Sequence, residues 1–382
     1  MTRVARAAVS APTIRGLIAA SVALVASAML IATVRAEPAT PSKILNLYSW
    51  EEYFPSRVLH RFEAETGIKV NYSVLDSNDV AETTLTAGRS GFDLVTVNAS
   101  PHLGRQIPKG LWQPLDTTKL HNLANVDPKL LEILRQVDPG NRYAIPYMWG
   151  TIGIIYNPEL VHARMPGAPI DSLQMVFNPD VVQRFKSCGV SILSAWVDIL
   201  PLLSSYVGQK NLSIDKPALD QLAAAFARVR PAIRRITTSG YYDQLARGEL
   251  CVSIGYSADA MVARRRAAEL HSAIRIEYSP VREIVPVYVD AYAIPASARH
   301  ADAALRFIDF TLQADVAAEL GRATGFAVAN SAAQGLLEPE IRDNPIIYPS
   351  AEVRDRFYLV RGFTMEETRM LSRVWLRMKT GY

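Results

Sequence analysis

The sequence predicts an α/β fold built on a mostly parallel sheet. Three observations support this: strict alternation of short apolar runs with amphipathic helical segments, a βαβαβ order in the first such block, and the lack of any internal repeat or low-complexity tract. The block opens with a strand at Lys43–Ser49. The helix Pro55–Thr66 follows, with Val58, Leu59 and Phe62 on its inward face and Gly67 at its C-terminal stop. Ile68–Leu75 reads as the second strand. Ser77 and Asn78 offer caps for a helix reaching Gly88, and Phe92–Val97 is the third strand. Further strands are expected at Gly150–Tyr156, Val190–Leu193, Cys251–Tyr256 and Val287–Ile294. Helices are expected at Pro217–Arg230, Ala258–Leu270 and Ala301–Leu320. A chain of 382 residues has room for about two such domains.

Charge narrows the function. The 41 Lys and Arg against 37 Asp and Glu suggest a basic protein, but Arg3, Arg6, Arg15 and Arg35 lie in the first 36 residues, which hold no acid. The remainder is balanced, which removes the main support for a nucleic-acid-binding surface. Residues 1–36 have the form of a secretory signal peptide: a positive start, the uncharged run Gly16–Val34, and Val34-Arg35-Ala36 at a cleavage position. Nineteen apolar residues would also suffice for a single membrane anchor. No later run approaches that length, so the rest of the chain is expected to be soluble and exported. Cys188 and Cys251 are the only cysteines, an even pair that in an exported chain reads as a disulfide, with two separate buried thiols as the alternative. The six histidines show no metal-binding spacing.

In open α/β sheets a ligand sits beyond the carboxyl ends of the strands. The first strand runs into Trp50-Glu51-Glu52-Tyr53, the third into Asn98-Ala99-Ser100, and the strand after Cys251 into Tyr256-Ser257-Ala258-Asp259, while the last carries Tyr288 and Asp290. Aromatic rings and carboxylates recur there. Glycine-rich phosphate loops of the GxGxxG or GxxxxGK[ST] kind are absent from the sequence, so no nucleotide cofactor is indicated. This mixture suits an organic cation with an apolar body. Carboxylates return the hydrogen bonds an ammonium loses on leaving water, and ring faces attract the cation by about 0.5–2 kcal/mol each and also cover methylenes. An anion would call for Arg, Lys or helix N-termini instead.

YSWEEY at 48–53, FEAETGIKVNYSVLDSNDV at 62–80, GFDLV at 91–95, YAIPYMWGTIGIIYN at 143–157, KSCGVSIL at 186–193, GELCVSIG at 248–255, VDAYAIP at 289–295 and NPIIYP at 344–349 together resemble the periplasmic polyamine-binding proteins of ABC transporters, and within them the putrescine-binding branch. The likeness covers nearly all of residues 43–378. It implies a two-lobed, type II solute-binding fold with a hinged interlobe cleft, no catalysis, no cofactor, a disulfide between Cys188 and Cys251, and delivery of a polyamine to an inner-membrane ABC permease. A periplasmic monomer is expected. Lobe 1 is expected to comprise 40–146 and 270–328, and lobe 2 147–269 and 329–382.

Ligand positions carry over one by one. Trp50 and Tyr53 match first-strand aromatics, Glu52 stands where Asp is usual, and Glu51 where Ser is common. Asn98 replaces a small polar residue, Asp198 a Glu, Tyr256 a stacking Trp, Tyr288 a Phe and Phe326 a Tyr, while Asp259 and Asp290 are kept. These departures bear on which amine is bound, not on the ligand class. Trp149 reads equally as cleft wall or core. Two other classes have some footing. The Tyr241-Tyr242 pair could serve a ferric-ion carrier, though no nearby His completes a ligand set. Glu51 and Glu52 could be imagined as an enzyme's acid–base pair, but adjacent strand residues point to opposite faces.

Overall fold

The computed structural model describes residues 43–51, 53–75, 78–88 and 90–381. The expected signal peptide, the Ser77 cap and Glu52 lie outside the described residues. Among the described residues there are eleven strands: β1 (Ile44–Ser49), β2 (Lys69–Val74), β3 (Leu94–Asn98), β4 (Ala144–Tyr156), β5 (Val190–Ile192), β6 (Arg235–Ile236), β7 (Val252–Tyr256), β8 (Glu277–Ser279), β9 (Val285–Ala293), β10 (Ala327–Val328) and β11 (Phe357–Tyr358). Their hydrogen-bonded order is β2-β1-β3-β9-β4-β7-β5-β6, with β8 and β10 on β4 and β11 on β9.

The expected βαβαβ block is present. β1 pairs in parallel with β2 and β3, Leu47 lying opposite Tyr72 on one side and Leu94 on the other. The helix Ser56–Thr66 buries Val58 and Phe62 and ends at Gly67, whose φ of 69 is the left-handed stop the sequence calls for. The central strands differ from the expectation of a mostly parallel sheet. β3 meets β9 antiparallel, and β4 is antiparallel to both β9 and β7. β4 also begins earlier than expected. Its first half contains Pro146, which has no N–H for a ladder bond, and the register shifts between Pro146 and Met148. The helix expected over Ala301–Leu320 is two helices, Ala301–Thr311 and Ala314–Thr324, broken at Leu312 and Gln313. Several further helices were not anticipated, the longest of them Trp196–Tyr206 and Met365–Thr380.

β4 is the strand around which the rest is arranged. Ala144–Thr151 pairs with β9, and Ile152–Tyr156 pairs with β7 and β8. The apolar core divides at the same point. Side chains from Leu45 to Trp149 and from Val287 to Leu337 fill two adjoining clusters on one side, and Ile152 to Val281 with Ile346 and Val360 to Met378 fill a third on the other. Two segments pack across the expected division. β8 and its flanking Ile276 and Val281, expected in lobe 1, join the third cluster because β8 pairs with Ile154–Tyr156. Asn330, Ala333 and Leu337, expected in lobe 2, pack in the first group, where Asn330 bridges Val126 and donates to the Leu312 carbonyl.

Cys188 and Cys251 form a disulfide with a Cα–Cα distance of 5.6 Å and a sequence separation of 63. It ties the turn after the helix Pro179–Phe185 to the start of β7. Among the described residues no helix is long and apolar enough to cross a membrane. Replacing both cysteines with Ser should lower the unfolding free energy in urea by about 4 kcal/mol, from the loop entropy the bridge removes from the unfolded chain. Equal midpoints for the oxidised protein and the double variant would contradict this.

Candidate functional site

Three carboxylates gather around the ends of β7 and β9. Asp290 is on β9, 4% exposed, opposite both Asn98 and Met148 in register. Tyr288 is two residues away on the same strand and therefore on the same face. Tyr53, in the turn after β1, donates its hydroxyl to Asp290 Oδ2 at 2.6 Å, and Asn98 Nδ2 donates to Oδ1 at 3.3 Å. The Asn98 amide oxygen meanwhile caps the next turn, accepting the Ser100 N–H. Trp50 is half-buried. Its indole Nε1 makes no ordinary hydrogen bond but lies close enough to Asp290 to favour the ionised carboxylate.

The other two carboxylates stand in the first turns of helices. Asp198 belongs to Trp196–Tyr206 and Asp259 to Ser257–Glu269, which starts directly after β7. Helix N-termini favour negative charge. The Tyr256 hydroxyl donates to Asp198 Oδ2 at 2.6 Å, and the Tyr241 hydroxyl donates to Asp259 Oδ2 at 2.6 Å. The rings of Tyr256 and Tyr288 meet edge to face at 5.4 Å, which joins the two groups. The Tyr288 phenol is raised by burial and further by the nearby charges of Asp290 and Asp259. It lies against β4 because Gly150 has no Cβ, which would overlap the Tyr288 hydroxyl and Ser257 Oγ.

Burial pushes Asp198, Asp259 and Asp290 each up to about 6, opposed only by hydrogen bonds from neutral donors. Among the described residues no cation pairs with any of the three. The chain's other buried carboxylates are treated differently. Glu82 pairs with Arg105 and Lys109, and Asp127 with Arg354. Asp93 receives three backbone N–H groups and His300, and Asp138 receives three backbone N–H groups. Among the described residues, only the three carboxylates at the junction of the core groups are left to phenols and an amide. Such a cluster is suited to receiving a cation.

Residues 57–349 match the bacterial extracellular solute-binding protein family. The chain belongs to that family. It is 39% identical over 344 residues to the putrescine-binding periplasmic protein SpuD of Pseudomonas aeruginosa, covering 90% of this chain and 94% of that one. It is 38% identical over 364 residues to the putrescine-binding periplasmic protein PotF of Escherichia coli, covering 94% and 97%. A spermidine/putrescine ABC transporter substrate-binding protein, PotD of Streptococcus pneumoniae, shares the fold with a TM-score of 0.76 at 24% identity, covering 89% of this chain and 99% of that one. The fold is thus the two-lobed one of solute-binding proteins, and the chain is a carrier, not an enzyme.

Within this solute-binding protein the expected ligand residues do not all fall together. Tyr53, Asn98 and Asp290 form one bonded group; Asp198 and Tyr256 form another, joined through Tyr288. Asp259 joins the second group through Tyr241, which the sequence offered as half of a possible iron-binding pair and did not place in the ligand site. Phe326 sets its edge against Tyr53 at 5.7 Å. Glu51 is exposed in the turn beside Trp50. Trp149 is 1% exposed and packs among Tyr348 and Phe357, as core.

A carboxyl with a higher pKa folded than unfolded holds more protons in the native state. Its contribution to stability is therefore full below about pH 4 and is lost as pH rises through about 6. The ligand-free protein carrying Asp290→Asn should be more stable than wild type at pH 8, by about 1–3 kcal/mol, and little different at pH 4. Calorimetric melting at both pH values checks this; a variant less stable than wild type at pH 8 would contradict it.

Proposed function

We propose that this protein captures a linear aliphatic polyamine, with putrescine the first candidate, between its two lobes and delivers it to an inner-membrane ABC permease. The observation that carries the reading is the set of three carboxylates held by phenols and lacking cations. Asp290 would take one ammonium, with Tyr53 and Asn98 keeping its two oxygens in place. Asp198 and Asp259 would take another. Tyr256, Tyr288, Trp50 and Phe326 would cover the methylenes between. The relatives named as putrescine-binding proteins support the same ligand class. Glu51 would lie at the rim, where a longer amine could reach it; Glu52, which the sequence resemblance makes a ligand residue, lies outside the described residues.

Closure follows from differential contact. An amine touching both groups binds the closed state better than the open one and shifts the population accordingly. Without it, carboxylates facing each other across the gap disfavour closure. The lobes are proposed to follow the core clusters, so the boundaries near 270 and 328 shift to about 285 and 345. The site is complete within one chain, which fits a monomeric carrier. Residues 1–36 would direct export to the periplasm, the compartment in the names of the relatives.

Titration calorimetry with putrescine, cadaverine, agmatine, spermidine and spermine tests the reading, with γ-aminobutyrate as a zwitterionic control. At least one amine should bind far tighter than millimolar, and the control should not. Failure of every amine at pH 8 would overturn the proposal. Because the empty site is partly protonated near pH 6, affinity should rise from pH 5 to 7, and binding should release protons at pH 6 but not at pH 8. Equal proton release in both conditions would contradict this account of the site.

Asp259→Asn should weaken the best amine by about 2–5 kcal/mol, because an ammonium is left underpaired in a desolvated place. Unchanged affinity would remove Asp259 from the site.

A further inference from the structure

Tyr241 is not among the residues proposed to face the ligand, yet its hydroxyl is at the junction of that half of the site. It donates to Asp259 Oδ2 at 2.6 Å and accepts the backbone N–H of Tyr256 at 3.1 Å. Tyr256 in turn holds Asp198 by its own hydroxyl. One oxygen therefore links the first turn of the helix Ser257–Glu269, the end of β7, and through Tyr256 the helix that carries Asp198. A phenol suits this place because its hydroxyl gives one hydrogen bond and takes another, and its ring reaches across the core.

The surroundings leave that oxygen little freedom. The ring is 1% exposed. Gly255, on β7, leaves the space the hydroxyl occupies: a Cβ there would lie 2.5 Å from the Tyr241 oxygen and 2.8 Å from its Cε2. The short helix Tyr241–Ala246 begins immediately after Gly240, whose φ of 70 turns the chain so that Tyr241 enters the core at the first helical position. The titratable groups facing Asp259 are Tyr241, Tyr256 and Tyr288, all phenols. No other side chain is recorded as donating a hydrogen bond to Asp259 among the described residues.

We propose that Tyr241 is a positioning residue: it fixes the Asp259 carboxylate and, through the backbone of Tyr256, the Asp198 carboxylate, and so sets the affinity of this end of the site for an ammonium it does not touch. The affinity part of the inference rests on the amine-binding reading; the hold on Asp259 does not. Burial raises Asp259 and the Tyr241 hydrogen bond lowers it, so removing the hydroxyl should raise it further.

The test is Tyr241→Phe in the full-length protein, read in two ways. In the ligand-free protein with 13C-labelled aspartates, the carboxyl resonance assigned to Asp259 by its loss in Asp259→Asn should titrate at higher pH in Tyr241→Phe, with Asp290 unmoved. By calorimetry, putrescine should bind roughly ten- to a hundredfold more weakly to Tyr241→Phe, the usual range for a lost hydrogen bond to a charged group, and adding the change to Asp259→Asn should cost less than about threefold. An unmoved Asp259 titration overturns the proposal even if the wild type binds no amine, and equal losses in the two backgrounds overturn it when amines bind. Should Tyr241→Phe melt far below wild type, Gly255→Ala, which presses a methyl on the same hydroxyl, should shift the Asp259 titration in the same direction; an unmoved titration there counts against the proposal.

Discussion

A carboxylate withdrawn from water needs donors, and which donors it finds decides what it can do next. Where Glu82 meets Arg105 and Lys109, its charge is neutralised and the arrangement is closed. Where Asp290, Asp198 and Asp259 meet phenols, the oxygens are oriented but the charge remains. A neutral donor repays part of the desolvation cost and leaves the rest, which is why all three carboxyls sit near 6. An incoming ammonium would supply what is missing. The protein carries the cost of three poorly compensated carboxyls, and on the proposed reading this is the stability given up for binding.

The scaffold makes that arrangement possible through two long strands. β4 pairs with β9 over its first half and with β7 and β8 over its second, so the two groups of core side chains meet along one continuous strand. β9 brings Tyr288 and Asp290 to this junction, and β7 ends there in Tyr256, with Asp259 in the first turn of the helix that follows. Small residues allow the approach: Gly150 beneath Tyr288, and Gly255 beside Tyr241. A side chain at position 255 would displace the phenol that holds Asp259, and one at 150 would displace the Tyr288 ring from between the two groups.

The first βαβαβ block was legible because its signals are local: a period-2 strand, a period-3.6 helix face and Gly67 at the stop. The disulfide was legible from cysteine number and export context. Asp290, Asp259 and Tyr53 stood out as acids and rings at strand ends, where the α/β architecture collects ligands. What could not be read depends on contacts distant in sequence. The antiparallel centre of the sheet comes from β9 inserting between β3 and β4, both far from it in sequence. Pro146 hid the first half of β4, and Pro201 lies inside a helix that no local rule would have continued. The capping box at Thr364 and Glu367 was present in the sequence and marks the last helix. Tyr241 was visible as a tandem tyrosine, but its partner Asp259, 18 residues on, appears only when the helix after β7 folds back over it.

The central claim is that an ammonium is the missing partner of three phenol-held carboxylates. Mass spectrometry of the small molecule released on denaturing freshly purified, undialysed protein tests it most directly. The account predicts an aliphatic di- or polyamine at close to one per chain. A stoichiometric anion or an uncharged sugar in its place would contradict it.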